Sequence, residues 1–222
     1  MTHTPIPTEP RRRPIPLVIG LDLSLTSTGI AGVDWADALR PKTGLRGHAR
    51  LDWHLDEIKE RTRAADLVMV EGASYGHGAQ AGHHELAGLW WHVTQMLWRR
   101  GIPYAKVPPV QRIIYACGAA NPAKGHPQNI RSRVAKGMVR DAVAQRYGLE
   151  CEGAGRYDKA DAAVLAHMGR DWLGLPVVEV PETHRRALAG VAWPDRAKPG
   201  GEPACCRPPA KTSAAKLATP TK

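Results

Sequence analysis

The chain has 222 residues, a formal net charge of +10 and a hydrophobic fraction of 43%. This length suits one domain of ordinary size with tails, and the apolar fraction is sufficient for a hydrophobic core. No apolar run approaches the ~20 residues that a membrane-spanning helix needs, and the first 16 residues lack the apolar segment of a signal peptide. We therefore expect a cytoplasmic protein with no membrane partner. The four cysteines show no disulfide framework and are expected to be reduced.

The hydrophobic pattern predicts strands and helices that alternate along most of the chain. In chain order we expect strands at 16–24 and 27–34, a helix at 51–65, a strand at 66–72, a helix at 81–101, a short strand at 102–109, a helix at 109–116, a loop at 117–129, and helices at 130–148 and 157–174. Two consecutive strands followed by strands that alternate with helices are typical of an α/β fold. The sequence therefore predicts a mixed central β-sheet flanked by helices.

Composition divides the chain into three parts. Residues 1–16 are rich in proline and arginine and predict a flexible basic arm. Residues 17–194 carry the periodic pattern and predict a single folded domain. Residues 195–222 are basic and of low complexity, which predicts a disordered tail that adds nonspecific, salt-sensitive affinity for DNA.

The positive charge is concentrated in one stretch. Residues 99–147 contain ten Lys and Arg against one acid, whereas the rest of the chain has 21 bases and 20 acids. Such a local excess predicts a surface that faces a polyanion, and a solvated helix without a partner is the alternative.

Four carboxylates stand out from the apolar segments that carry them. Asp22 is the ionisable residue of an apolar strand, where a carboxylate is costly to desolvate unless it is paired. Glu71 ends the next apolar strand, and Asp158 and Asp161 share one face of the last helix because they are three residues apart. Either helix aspartate alone would be explained as a capping acid, and Glu71 alone as a loop residue.

Taken together, the four acids favour a metal site. Carboxylates without a histidine or cysteine cluster prefer hard cations such as Mg²⁺ or Mn²⁺. Two such ions roughly 4 Å apart can activate water and stabilise the leaving oxygen in phosphodiester cleavage. This would explain why a helix built for burial carries two aspartates at its start.

Three segments resemble the acidic motifs of a known family. "IGLDLSLTSTGIA" (19–31), "VMVEGASYG" (68–76) and "DKADAAVLAHMG" (158–169) resemble, in order and spacing, those of RuvC-type Holliday junction resolvases, especially the phage and actinobacterial forms. The likeness covers residues 17–175. It implies a ribonuclease H-like fold, a homodimer, dependence on Mg²⁺ with Mn²⁺ as a substitute, and symmetric nicking of four-way DNA junctions in recombination and repair. It assigns the metal-ligand roles to Asp22, Glu71, Asp158 and Asp161.

The family also has a basic residue near the scissile phosphate, after a glycine-rich loop. Lys124 follows the loop here, and Lys136 lies in the helix beyond it, in a segment longer than the usual pattern. We expect Lys136 to serve the site because "KGMVRDAVAQRYG" (136–148) continues as the family's helix does. Lys124 remains the alternative.

DNA contacts are expected on the basic helix and on the loop after Glu71. Tyr75 stands near the position of an aromatic residue that wedges into the junction in such resolvases. It could instead pack against its own glycine-rich loop. The tryptophans Trp90, Trp91 and Trp98 are expected in the core or at a dimer interface. The complete set of expected DNA-binding residues is Tyr75, Lys124, Arg131, Arg133, Lys136 and Arg140.

Three other functions compete with this interpretation. The first is a related nuclease that cuts flaps or RNA–DNA hybrids. The second is an ATPase of the actin and sugar-kinase type, since residues 19–29 also resemble its first phosphate loop. However, the chain lacks a second glycine-rich loop and is too short for two such subdomains. The third is a junction-binding protein without catalysis, which would tolerate loss of the four acids.

Overall fold

Five strands form one mixed sheet within residues 15–72 and 82–195, the part of the chain that the computed structural model describes. The strands are β1 (Val18–Asp22), β2 (Thr28–Ala31), β3 (Ala36–Leu39), β4 (Leu67–Glu71) and β5 (Tyr104–Val107). They lie in the order β3-β2-β1-β4-β5. β1, β4 and β5 are parallel, whereas β2 is antiparallel to both β1 and β3. This order, with only β2 reversed, is that of the ribonuclease H-like fold, so the predicted fold class is confirmed.

Helices cover both faces of the sheet. They are α1 (Gly47–Arg61), α2 (His83–Arg99), α3 (Pro109–Cys117), α4 (Arg131–Tyr147), α5 (Arg156–Trp172) and α6 (Glu182–Arg185), followed by a 3₁₀ turn at Arg186–Gly190. Among the described helices, none is both long and apolar enough to cross a bilayer. The predicted arm, the predicted tail and Tyr75 lie outside the described residues, apart from the few residues at their inner borders.

Alternation along the strands divides the core into two layers. Ile19 and Leu21 of β1, with Val68 and Val70 of β4, pack on the side of α1 and α2. The residues between them, such as Met69, pack against α5 on the opposite side. The sheet therefore separates two hydrophobic clusters, and α5 is the central helix of its own layer.

Helix α5 lies unusually close to the sheet because the contact surfaces carry little or no side chain. A Cβ on Gly20 would overlap the backbone of Ala162, and one on Gly29 would overlap the carbonyl group of Asp158. Residues 160–169 of α5 are all buried. The alanines that follow Asp158 thus allow backbone to pack almost directly on backbone.

The structure differs from the sequence prediction at β3 and α1, and it adds α6 with the 3₁₀ turn that follows it. β3 was not expected, because its residues Ala36–Leu39 form a short, partly exposed edge strand without a clear alternation. Helix α1 was expected at 51–65 but occupies Gly47–Arg61. Its first turn is mostly exposed, so hydrophobic periodicity gave no sign of it. The helix ends at Arg61, and the hydroxyl of the next residue, Thr62, donates to the carbonyl of Ile58 in the last turn.

Candidate active site

Two of the four acids end neighbouring parallel strands. The register pairs Leu21 with Val70, so Asp22 and Glu71 stand one step further along β1 and β4. Both acids belong to the side of the sheet that faces α5, because side chains alternate along a strand. The charge of Glu71 acts on Asp22 and raises its pKa. The two carboxylates therefore repel each other, which is an unfavourable arrangement for two negative charges.

The third acid comes from α5. Asp161 is buried, with only 4% of its surface exposed, and its charge acts on Asp22. Asp158 lies one turn earlier on the same helix, is half-buried, and acts on Asp161 through its charge. The structure thus brings Asp22, Glu71 and Asp161 together and leaves Asp158 at the edge of the group.

A guanidinium group that the sequence prediction did not include lies among these acids. Arg112 of α3 donates from Nε to Oε1 of Glu71 at 3.1 Å, and from Nη1 to Oδ1 of Asp161. The residue is only 8% exposed. Two candidate metal ligands therefore already have a cationic partner inside the protein.

The pKa values reflect a surplus of negative charge in a buried place. Burial raises the pKa of Asp22 well above its usual range, and the charges of Glu71 and Asp161 raise it further, against the effect of Arg112. Burial also raises the pKa of Asp161 to about 7, although Arg112 and Lys136 lower it. Burial would lower the pKa of Arg112, but Glu71, Asp161 and Asp22 outweigh that effect and raise it. One guanidinium does not compensate three carboxylates.

The donor chemistry of this group fits a divalent cation. Carboxylate oxygens from β1, β4 and α5 are hard ligands, and their excess charge is what such a cation would neutralise. Within the described ranges, however, no three side chains of His, Cys, Asp or Glu are arranged as a ready metal-binding group. The guanidinium of Arg112 contacts two of the acids that such a group would need. A cation would be held by Asp22, Glu71 and Asp161, with Asp158 beside them, close to the positive charge of Arg112.

The basic helix α4 runs beside the start of α5. At about 100° per residue, Arg133, Lys136 and Arg140 fall on one face of α4, and Arg131 falls on the opposite side. Arg131 donates to the carbonyl oxygen of His126 in the preceding loop. Arg140 pairs with Asp141 and lies 3.8 Å from Glu152. The four expected arginine and lysine positions of α4 therefore do not form a single surface.

Lys136 lies against an aromatic ring that is next to the acidic group in the chain. Its Nζ lies 5.9 Å from the ring centroid of Tyr157, and the guanidinium of Arg156 lies 5.0 Å from the same ring. Tyr157 directly precedes Asp158, and the charge of Lys136 is one of those that act on Asp161. Lys124 is exposed in the loop before α4. The role of either lysine stays a prediction, as does that of Tyr75.

An open cleft adjoins the acids. It has a volume of about 270 Å³ and is lined by Asp22, Leu23, Glu71, Gly72, Leu86, Trp90 and Pro109. Trp90 is buried, which agrees with the core position that was one of the two alternatives predicted for the tryptophans. It donates from Nε1 to the carbonyl of Glu71 at 3.1 Å. A cleft of about 350 Å³ between α1 and α2, lined in part by His48 and His92, lies away from the acids.

A buried histidine fixes the turn that follows Asp22. His54 of α1 contacts the Thr28 hydroxyl at 3.4 Å through Nδ1 and the Leu25 carbonyl at 3.2 Å through Nε2. The Thr28 hydroxyl donates to the carbonyl of Ser24 at 2.8 Å. The carboxyl end of β1 is thus tied to α1, which limits the movement of Asp22.

Arg112 was missed because a charged residue within a short helix is usually assumed to be solvated. A signal for it was nonetheless present. Arg112, Tyr115 and Ala116 are spaced three and four residues apart, and all three are buried on one stripe of α3. An arginine in register with an apolar stripe indicates a buried carboxylate partner.

Only the comparison of structures finds proteins that are similar to this chain. No protein-family model matches the chain, and no curated protein matches it in sequence. The structure is similar to that of RuvC from Thermus thermophilus, with 18% identity and a TM-score of 0.49, covering 72% of this chain and 97% of that one. It is also similar to T. thermophilus RuvC in complex with a Holliday junction substrate, with 17% identity, a TM-score of 0.47 and the same coverage.

Proposed function

We propose that the chain is a divalent-metal-dependent endonuclease that cuts four-way DNA junctions. The observation that carries the proposal is the convergence of Asp22, Glu71 and Asp161 from three elements onto one buried, charge-rich group. Three carboxylates with one guanidinium are an expensive way to stabilise a fold, because desolvation of each charge costs several kcal/mol. Such a group is retained where it has a ligand to hold.

A different part of the fold positions each of the three acids. Asp22 is held by the turn that His54 fixes, and Glu71 by the strand end against which Trp90 packs. Asp161 is held by the close contact of α5 with the sheet. A bound Mg²⁺ or Mn²⁺, with two ions per site as the expected number, would supply an activated water and a stabilised leaving oxygen. The residues orient the phosphate group and exclude bulk water from one side of it.

The basic side of the site suits a nucleic-acid backbone. Lys136 and Arg156 flank Tyr157 next to Asp158, and Arg133 extends this surface along α4. An aromatic ring between two cations can stack on a base while the cations contact phosphates, worth ~1–3 kcal/mol for the stacking alone. We therefore expect DNA to run along α4 and over the start of α5.

We further propose that the chain acts as a homodimer through α2. Trp91 and Trp98 lie seven residues apart on this helix and are 64% and 49% exposed, respectively. Two large exposed aromatic side chains on one helix face are typical of an interface. Two active sites in one dimer would provide for the paired cuts that junction resolution requires.

The test compares substrates and one acid at a time. The full chain is incubated with Mg²⁺ or Mn²⁺ and a synthetic four-way junction, a linear duplex, a flap, an RNA–DNA hybrid or ATP. We expect paired nicks on the junction, and loss of nicking in Asp22→Asn. Asp37→Asn is the matched control, because Asp37 lies exposed in the edge strand β3 and should cut normally.

The other outcomes each point to a competing function. Cleavage of flaps or hybrids in preference to the junction would indicate a related nuclease of this fold. Tight junction binding with no cleavage under either cation would indicate the noncatalytic protein. Turnover of ATP would indicate the kinase-like alternative.

A further inference from the structure

The position of Arg112 raises the question of how a cation reaches the acids. Its guanidinium contacts Glu71 at 3.1 Å and also contacts Asp161, and both acid side chains are largely buried, at 13% and 6% exposure. The guanidinium uses Oε1 of Glu71 and Oδ1 of Asp161, so a divalent cation on the same two carboxylates would be repelled by its positive charge. Binding of either cation therefore weakens the binding of the other.

Arg112 has a reason to be there in the absence of a cation. Three carboxylates at one buried point repel each other, and the charges of Glu71 and Asp161 both act on Asp22. A buried charge without a partner is strongly destabilising. The guanidinium reduces this repulsion and keeps the ends of β1 and β4 close to α5.

We propose that Arg112 is an internal counter-cation that competes with the divalent cation for Glu71 and Asp161. It holds the acidic group together before cation binding and lowers the apparent affinity of that group for the cation. This inference rests on the proposed function to the extent that the acids take a divalent cation. It makes Arg112 a positioning residue, with a measurable effect in the absence of DNA.

A second arginine, Arg185 of α6, provides a matched control because its aspartate partner lies at the far end of α5. Arg185 contacts Asp171 of α5 through Nε at 3.0 Å, and Asp171 is 1% exposed. Replacement of Arg185 removes a cation from a buried aspartate of α5, as replacement of Arg112 does. It leaves the acidic group at the strand ends unchanged.

The experiment measures Mn²⁺ affinity of the full chain without DNA, by isothermal titration calorimetry and by electron paramagnetic resonance of free Mn²⁺. We expect Arg112→Met to bind Mn²⁺ at least about tenfold more tightly than wild type, which corresponds to about 1.4 kcal/mol. Arg112→Lys should remain near wild type, and Arg185→Met should bind Mn²⁺ as wild type does. Mn²⁺ should also raise the melting temperature of Arg112→Met by more than it raises that of wild type.

Loss of stability alone would not produce this pattern, because both arginine replacements are destabilising. Equal or weaker Mn²⁺ affinity in Arg112→Met than in wild type would overturn the proposal. If Arg112→Met does not fold, Arg112→Gln is measured in its place under the same criterion. If Arg112→Gln also folds only with Mn²⁺ present, that dependence supports the proposal.

Junction cleavage by wild type, run in parallel, separates the two proposals. Cleavage with unchanged Mn²⁺ affinity in the Arg112 variants refutes the competition only. The expected order of affinities without any cleavage refutes the nuclease only. Absence of both Mn²⁺ binding and cleavage in every variant refutes both.

Discussion

Helix α5 carries a buried aspartate–arginine contact near each end, and the two contacts differ in charge balance. Asp171 accepts hydrogen bonds from Arg185 through both carboxylate oxygens at 3.0 Å, and from the Tyr115 hydroxyl at 3.1 Å. Asp161 shares Arg112 with Glu71. One end is satisfied by its own neighbours, whereas the other retains surplus negative charge.

This difference separates a structural ion pair from a candidate site. A satisfied pair such as Asp171–Arg185 needs nothing further and can be explained by stability. In the group of Asp22, Glu71 and Asp161, burial and the neighbouring negative charges raise the pKa values of Asp22 and Asp161, so an added positive charge would stabilise the group. The comparison predicts that mutations at the two ends should affect different properties.

The largest expected effect is on activity at the first end. Asp161→Asn should reduce junction nicking by roughly 10³-fold or more, because loss of a ligand removes several kcal/mol of charge stabilisation in the transition state. Its free energy of unfolding should change by only about 1 kcal/mol, since one repulsive charge leaves along with one partner of Arg112. Single-turnover nicking and urea unfolding measure the two quantities. Nicking within tenfold of wild type would contradict the role of Asp161.

The reverse pattern is expected at the second end. Asp171→Asn should lower the free energy of unfolding by about 2–3 kcal/mol, because it weakens charge-assisted hydrogen bonds from Arg185 and the Tyr115 hydroxyl. Nicking by the folded protein should be unchanged, because Asp171 lies about three turns from Asp161. Urea unfolding monitored by circular dichroism gives the first value. A variant as stable as wild type would show that this pair contributes nothing.

A third ionisable residue between these two ends sharpens the comparison, because it has no acidic partner within residues 15–72 and 82–195. Burial, together with the charges of Arg170 and Arg146, lowers the pKa of His167 to about 3. Below pH 6.5 the unfolded chain therefore binds a proton that the folded chain does not, and stability falls as the pH falls toward 3.

His167→Leu removes this contribution. Between pH 7 and pH 4.5, wild type should lose up to about 3 kcal/mol more stability than the variant. Urea unfolding of both proteins at several pH values gives the difference, in which the opposite contributions of Asp22 and Asp161 cancel. Parallel pH curves would indicate that His167 is protonated in the fold.

The smallest expected effect concerns the cations outside the acidic group. Lys136→Ala should reduce nicking by about 10- to 100-fold. The charge of Lys136 acts on Asp161, and the residue belongs to the basic surface of α4 that would contact DNA phosphates. Lys124→Ala, in the exposed loop, should reduce nicking by no more than about threefold, in the range of a solvated charge. A nicking assay of the two variants side by side measures the ranking. The opposite order would assign Lys124 to the site.

Much of the site could be predicted from the sequence because buried charge is costly. Asp22 is conspicuous in an apolar strand, and strand pairing then brings Glu71 beside it without further assumptions. The helix spacing predicted Asp158 and Asp161 on one face of α5. Asp161 is buried and acts on Asp22, whereas Asp158, one turn earlier, is half-buried and acts on Asp161. The different burial of the two turns depends on how α5 packs against Gly20 and Gly29, which the sequence pattern does not show.

The partners of Arg112 and the strand β3 could not be predicted with the same rules. The apolar stripe of α3 indicates that Arg112 is buried, but the acids that it contacts lie 41 and 49 residues away in the chain. β3 pairs with β2 through its backbone, so its short sequence carries almost no hydrophobic signal. In both cases tertiary contacts, rather than local pattern, determine the outcome.

The glycines of β1 and β2 have a consequence for the evolution of this site. Because α5 lies against Gly20 and Gly29 with no side chain between, the depth of that contact fixes the separation of Asp161 from the strand ends. Positions with no chemistry of their own thereby determine the spacing of the reactive groups. Under the proposed function, selection on cleavage should therefore restrict these two glycines as strictly as the carboxylates, although neither carries a reactive side chain.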